Sequence, residues 1–173
     1  LLLILAAIRS AGTGTVSTPT GYTRLPVFAA TDNLQLFAKV HTGSESNPAV
    51  SFSGGSAGDT TSANMIALRN TPTTLADLAD VVTRSVTLVN TSAQDIALPS
   101  MHPGQEGCVV LYVGWKQDDW TSAATPTGFT EAFESSSTTG SDQAIVLQKG
   151  LVELEGPSQR VAADPSLTKL LGV

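Results

Sequence analysis

One hexapeptide occurs twice in this chain, and that limits what it can fold into more than any other feature. Thr18-Pro19-Thr20-Gly21-Tyr22-Thr23 returns as Thr125-Pro126-Thr127-Gly128-Phe129-Thr130, 107 residues further on. The same offset lays Leu1-Leu2-Leu3-Ile4-Leu5-Ala6-Ala7-Ile8-Arg9 over Cys108-Val109-Val110-Leu111-Tyr112-Val113-Gly114-Trp115-Lys116 without a gap. Each copy reads as an apolar run, a basic residue, a small polar loop and then Pro-x-Gly-aromatic-Thr. In each turn Pro presets φ and Gly tolerates a positive φ. Whatever one half of the chain builds, the other half builds a version of it.

The apolar runs do not alternate, which suits strands buried on both faces. Leu1 to Ile8 has the apolar character of a signal-peptide core, with Ser10-Ala11-Gly12 as a cleavage-like flank. Its return deep inside the chain as Cys108 to Lys116 favours a buried strand instead. Eight apolar residues are also too few to cross a bilayer, which takes about 20 as a helix. The chain begins without Met, and we expect N-terminal sequence to precede it.

In order, strands are expected over Leu1–Ile8, Tyr22–Phe28, Leu34–Val40, Ala49–Ser53, Ala63–Leu68, Val82–Val89, Asp95–Leu98, Cys108–Lys116, Phe129–Glu134 and Gln143–Gln148. Shorter apolar pieces follow at Val152–Leu154 and within Val161–Val173. Gln143–Gln148 is read as the counterpart of Leu34–Lys39. Thr73 to Ala79 fits either one helical turn or irregular chain. Many short strands with evenly spaced turn signals predict an all-β sandwich or barrel. A single jelly-roll-like β-sandwich with two pseudo-repeated halves is the architecture expected, over 1–70 and 108–173 with a 71–107 crossover. The reason is that four or five strands alone would leave an apolar face exposed.

Only 14% of the residues are charged, against 41% apolar, so Ser, Thr, Asn and Gly must supply the polar surface. Net charge is −6, with nine Lys and Arg scattered along the sequence, which argues against a nucleic-acid partner. Cys108 is the single cysteine, so an intrachain disulfide and a thiolate zinc site are excluded. It opens an apolar strand and reads as a small buried residue.

Candidate chemistry is sparse. His41 and His102 lie in loops far apart and form no metal motif. Asp118-Asp119, Glu131 with Glu134, and Glu153 with Glu155 are carboxylate pairs of the kind a glycosidase needs facing each other across a sugar. None is distinguished from a solvated face. Asp118, Asp119 and Asp142 could offer oxygen ligands to calcium, but no loop has the spacing of a calcium motif. No cofactor or metal site is expected. Asn90-Thr91-Ser92 fits a glycosylation acceptor, relevant only in a eukaryotic secretory setting. Trp115, Tyr22 and Phe129 are read as core. Trp120, flanked by Asp118 and Asp119 in a loop, is the aromatic best placed to stack on a sugar.

The recurring order of apolar strand, loop, Pro-x-Gly-aromatic-Thr, strand and alternating strand resembles bacteriophage virion proteins of the β-sandwich or jelly-roll kind. These include tail-fibre, tail-associated and capsid-decoration domains. The residues that carry the resemblance are Pro19, Gly21, Tyr22 and Thr23, with Pro126, Gly128, Phe129 and Thr130. Ala67-Leu68-Arg69-Asn70 resembles the family's strand ending. Tyr22 and Phe129 depart from it, since Trp is commoner there. The resemblance implies a non-enzymatic structural component of the virion, with copies of itself and other virion proteins as partners. It carries over no catalytic residue. The alternative is a carbohydrate-binding, lectin-like module with Trp120 as its platform and a host-surface glycan as its ligand.

Overall fold

The computed structural model describes residues 1–9, 14–26, 28, 33–69, 84–87, 109–117, 122–138, 140, 143–151 and 169–172. Among these residues the chain is all-β with no helix, and every strand pairing is antiparallel. It divides into two compact units, Leu1–Val81 and Val82–Val173, each holding one copy of the repeat.

The first unit contains β1 (Leu2–Ile8), β2 (Thr15–Val16), β3 (Thr23–Leu25), β4 (Leu34–Lys39), β5 (Phe52–Ser53) and β6 (Thr61–Ala67). Four of them form a sheet in the order β3-β4-β1-β6, while β2 pairs with β5. As the unbroken apolar run predicts, all seven residues of β1 are buried. Cross-strand partners share a face, so Ile4 lies with Phe37 and Ala6 with Gln35 on one side. Leu5 lies with Leu36 and Leu3 with Ala38 on the other. On the first face, Val16, Tyr22, Val50 and Phe52 pack against Ile4, Ala6 and Phe37. The small β2–β5 sheet thus lies over the main one. Val16 belongs to a segment that sequence patterning reads as loop, because two residues give no period to detect.

The second unit contains β7 (Arg84–Thr87), β8 (Val109–Lys116), β9 (Phe129–Ser136), β10 (Ala144–Leu151) and β11 (Lys169–Gly172). Its sheet runs β7-β11-β8-β10-β9. Read from the other side, β9-β10-β8-β11 matches β3-β4-β1-β6 strand for strand, with β7 added outside β11. The repeated sequence therefore builds one sheet order twice.

The ladders correct the sequence alignment within the strands. Thr23 pairs with Ala38, which pairs with Leu3. The matching chain of partners is Thr130, Lys149 and Leu111. Leu3 therefore corresponds to Leu111, one residue beyond the gapless offset, and Leu34–Lys39 corresponds to 145–150 instead of 143–148. Similar residue types on either side of a one-residue slip hide it in sequence. In the structure it decides which side chains face which way.

Strands at Asp95–Leu98 and Val152–Leu154, the alternatives for Thr73–Ala79, and most of the 71–107 crossover lie outside the described residues. Of that crossover, Arg84–Thr87 forms β7, within the strand expected at Val82–Val89.

Candidate functional site

The two turns adopt one geometry. The Tyr22 N–H donates to the Pro19 carbonyl at 3.0 Å, and the Phe129 N–H donates to the Pro126 carbonyl at 3.0 Å. Gly21 and Gly128 take φ of 80° and 84°. Each Pro thus fills the first corner of the turn and supplies its acceptor, one place earlier than the corner where Pro sets φ. Gly holds the third corner, where a positive φ is required.

What the turns deliver differs. The Tyr22 hydroxyl donates to Met65 Sδ at 3.9 Å, and Lys39 Nζ lies 5.8 Å from the Tyr22 ring centre. Phe129 instead packs on Tyr112, with ring centres 4.4 Å apart, and covers Gly150. A Cβ on Gly150 would come within 2.7 Å of that ring. Both aromatics are half-buried, short of the full burial that the core reading from sequence implies. Trp115 is fully core, and its indole N–H donates to Gln143 Oε1 at 2.8 Å.

In the first unit, Lys39 continues into a knot centred on Glu45. The Glu45 carboxylate accepts from Lys39 Nζ, from the Thr42 N–H at 2.7 Å and from Thr42 Oγ1 at 2.8 Å. His41 Nδ1 lies 3.5 Å from the same carboxylate, on an otherwise exposed loop ring. Lys39 and Thr42 hold the Glu45 carboxyl down at about 2, led by the Lys39 hydrogen bond.

In the second unit, the Glu131–Glu134 pair singled out in sequence is assembled by a β-bulge. The β9–β10 register slips between Leu147 and Gln148, leaving Ala132 without a cross-strand partner. Residues three apart on a regular strand face opposite ways, but here Glu131 opposes Gln148 and Glu134 opposes Val146, on one face. Glu134 Oε1 also accepts from the Ala123 N–H at 3.0 Å. Desolvation, followed by the neighbouring Glu134 charge and a hydrogen bond to it, raises the Glu131 carboxyl above its ordinary value. The bulge thus holds the two carboxyl groups together beside a loop.

Gln148, buried beneath that loop, donates from Nε2 to the Ala124 carbonyl at 3.0 Å. Glu45, Gln148 and the Ala132 bulge escape sequence inspection. Only Thr42-x-x-Glu45, a Thr three residues ahead of its acceptor, leaves a local trace.

Asp118, Asp119 and Trp120, the candidate ligand platform, lie outside the described residues, as do Cys108, His102, Asp142, Glu153, Glu155 and Asn90-Thr91-Ser92. Among the described residues no three His, Cys, Asp or Glu side chains gather as a metal site. No family model, curated protein or solved structure matches this chain.

Proposed function

We propose that this chain is a non-enzymatic structural component of a phage virion, a capsid-decoration, tail-associated or tail-fibre protein of the jelly-roll-like sandwich type, acting through assembly. The observation that carries the reading is the same antiparallel sheet built twice from one repeated turn programme, the programme that resembles virion proteins. The β2–β5 layer packed over the main sheet supports a sandwich. With so few charges in the chain, β6 comes to a sheet edge with no charged residue of its own to keep monomers apart. Its partners are copies of itself and other virion proteins, in an extracellular particle. A specific assembly of this kind buries roughly 1,200 Å² or more in total.

Light scattering across a concentration series, with and without particles from the source, tests this. A defined oligomer or co-sedimentation with the particles is expected. A monomer at every concentration that ignores particles and instead binds a glycan, with binding lost in Trp120→Ala, would overturn it in favour of the lectin-like alternative.

A further inference from the structure

Among the described residues the two larger sheets have four edge strands, β3, β6, β7 and β9, and two of these, β3 and β9, carry devices that discourage further pairing. β3 has three residues, one of them Arg24, and runs into Pro26. β7 is described over Arg84–Thr87 alone. β9 carries Glu131, Glu134 and a bulge. Short length, charge and bulges are how sheet edges are kept from adding strands. β6 has none of these. Its seven residues, Thr61-Ser62-Ala63-Asn64-Met65-Ile66-Ala67, contain no charge and no Pro, and its register with β1 is unbroken.

The ladder shows which backbone groups of β6 point outward. The Leu1 nitrogen donates to the Leu68 carbonyl at 2.9 Å, and the Leu68 N–H donates back to Leu1 at 2.8 Å. At the other end the Arg9 N–H donates to the Thr60 carbonyl at 2.9 Å. Hydrogen-bonded pairs alternate along an antiparallel ladder, so residues 62, 64 and 66 bond to β1. Thr61, Ala63, Met65 and Ala67 therefore turn their N–H and C=O groups to the edge that no strand among the described residues covers. Their side chains are exposed, Met65 by 54%. In the second unit the matching strand β11 has this side covered by β7.

We infer that the outer edge of β6 pairs antiparallel with β6 of a second copy of this chain, about a two-fold axis through Asn64. The inference rests on the assembly reading above and names its surface. The charges that flank β6 select this partner and register. With Asn64 opposite the partner's Asn64, Asp59 lies opposite the partner's Arg69, and Arg69 opposite the partner's Asp59. Parallel pairing in register would set Asp59 against Asp59 and Arg69 against Arg69. In the antiparallel arrangement Met65 sits beside the partner's Ala63, large against small, and Thr61 beside the partner's Ala67. The four outward residues of each copy exchange about eight backbone hydrogen bonds. The product is one continuous sheet of two four-stranded halves.

The test uses the whole chain in a Cys108→Ser background. Asn64→Cys stands on the axis as a non-hydrogen-bonded pair, with Cα atoms about 4.5 Å apart, a separation a disulfide accepts. Oxidation is expected to yield covalent dimer from Asn64→Cys and none from Ser62→Cys, whose copies stand four positions apart along the strand. Met65→Lys, exposed in the protomer, is expected to fold with an unchanged circular dichroism spectrum and to weaken dimerisation at least tenfold by sedimentation. An oligomer that survives Met65→Lys and gives no Asn64→Cys crosslink overturns the β6 pairing while sparing the assembly reading. A chain that stays monomeric and ignores particles overturns both.

Discussion

Phe37 and Gln148 occupy the same place in the two units, fourth along the matching stretches 34–39 and 145–150, yet they solve opposite problems. Phe37 is buried among Ile4, Ala6, Tyr22, Val50 and Phe52, an apolar centre closed by the β2–β5 layer. Gln148 is equally buried but reaches the Ala124 carbonyl, so the second unit ties its covering loop down with a hydrogen bond. The polar residue one pleat earlier changes over too: Gln35 in the first unit stands where Val146 stands in the second. One sheet order thus accepts an apolar or a polar centre, provided that whatever covers it matches. The repeat conserves turns and pairing, and the coverings have diverged.

The largest effect is expected at Phe37. Phe37→Ala removes a buried ring and should cost about 3–5 kcal/mol in urea unfolding, the usual range for Phe to Ala in a core. Gln148→Leu keeps the volume but leaves the Ala124 carbonyl without that donor. It should cost about 1–3 kcal/mol, and hydrogen exchange should rise in 122–126 before it rises in β10. If Gln148→Leu stabilises the protein, the distinction between the two centres is wrong.

The turns should behave alike where the coverings do not. Gly21→Ala and Gly128→Ala each force a side chain into positive φ and should cost about 1–2 kcal/mol apiece. Equal losses support one turn geometry used twice. Gly150→Ala should also destabilise, because its Cβ meets the Phe129 ring, and Phe129→Ala should relieve most of that cost.

The smallest effects separate the units by pH. Glu45 has a folded value of about 2 against an ordinary 4.5, so its contribution is complete above 4.5 and is lost as pH falls towards 2. Glu131 is shifted the other way. Its contribution is present below the ordinary carboxyl value and is lost as pH rises through the raised folded value. Carboxyl carbon titrations by NMR should place the two midpoints on opposite sides of 4.5. Glu45→Gln should leave Glu131 unmoved while loosening the Lys39–Thr42 loop.

Most of the sheet was legible in the sequence because its signals are local. The unbroken apolar run of β1, the Pro-x-Gly turns and the pattern of β4 each appear within a few residues. The one-residue slip between turn and strand was not legible, since Leu3 matches Val110 in type as well as it matches Leu111. Glu45 and Gln148 stayed hidden for a related reason. Their partners are set by how a loop folds back, and a polar residue in a sequence does not announce that it is buried. The Glu131–Glu134 pair was visible, but the bulge that sets both on one face has no signature in Ala132 itself.

The central claim is that one sheet was built twice, with the strands displaced by a residue relative to the turns. Cross-strand nuclear Overhauser effects on the labelled chain test it directly. The account predicts contacts linking Thr23, Ala38 and Leu3, and matching contacts linking Thr130, Lys149 and Leu111. Contacts from Lys149 to Val110 in place of Leu111 would contradict it.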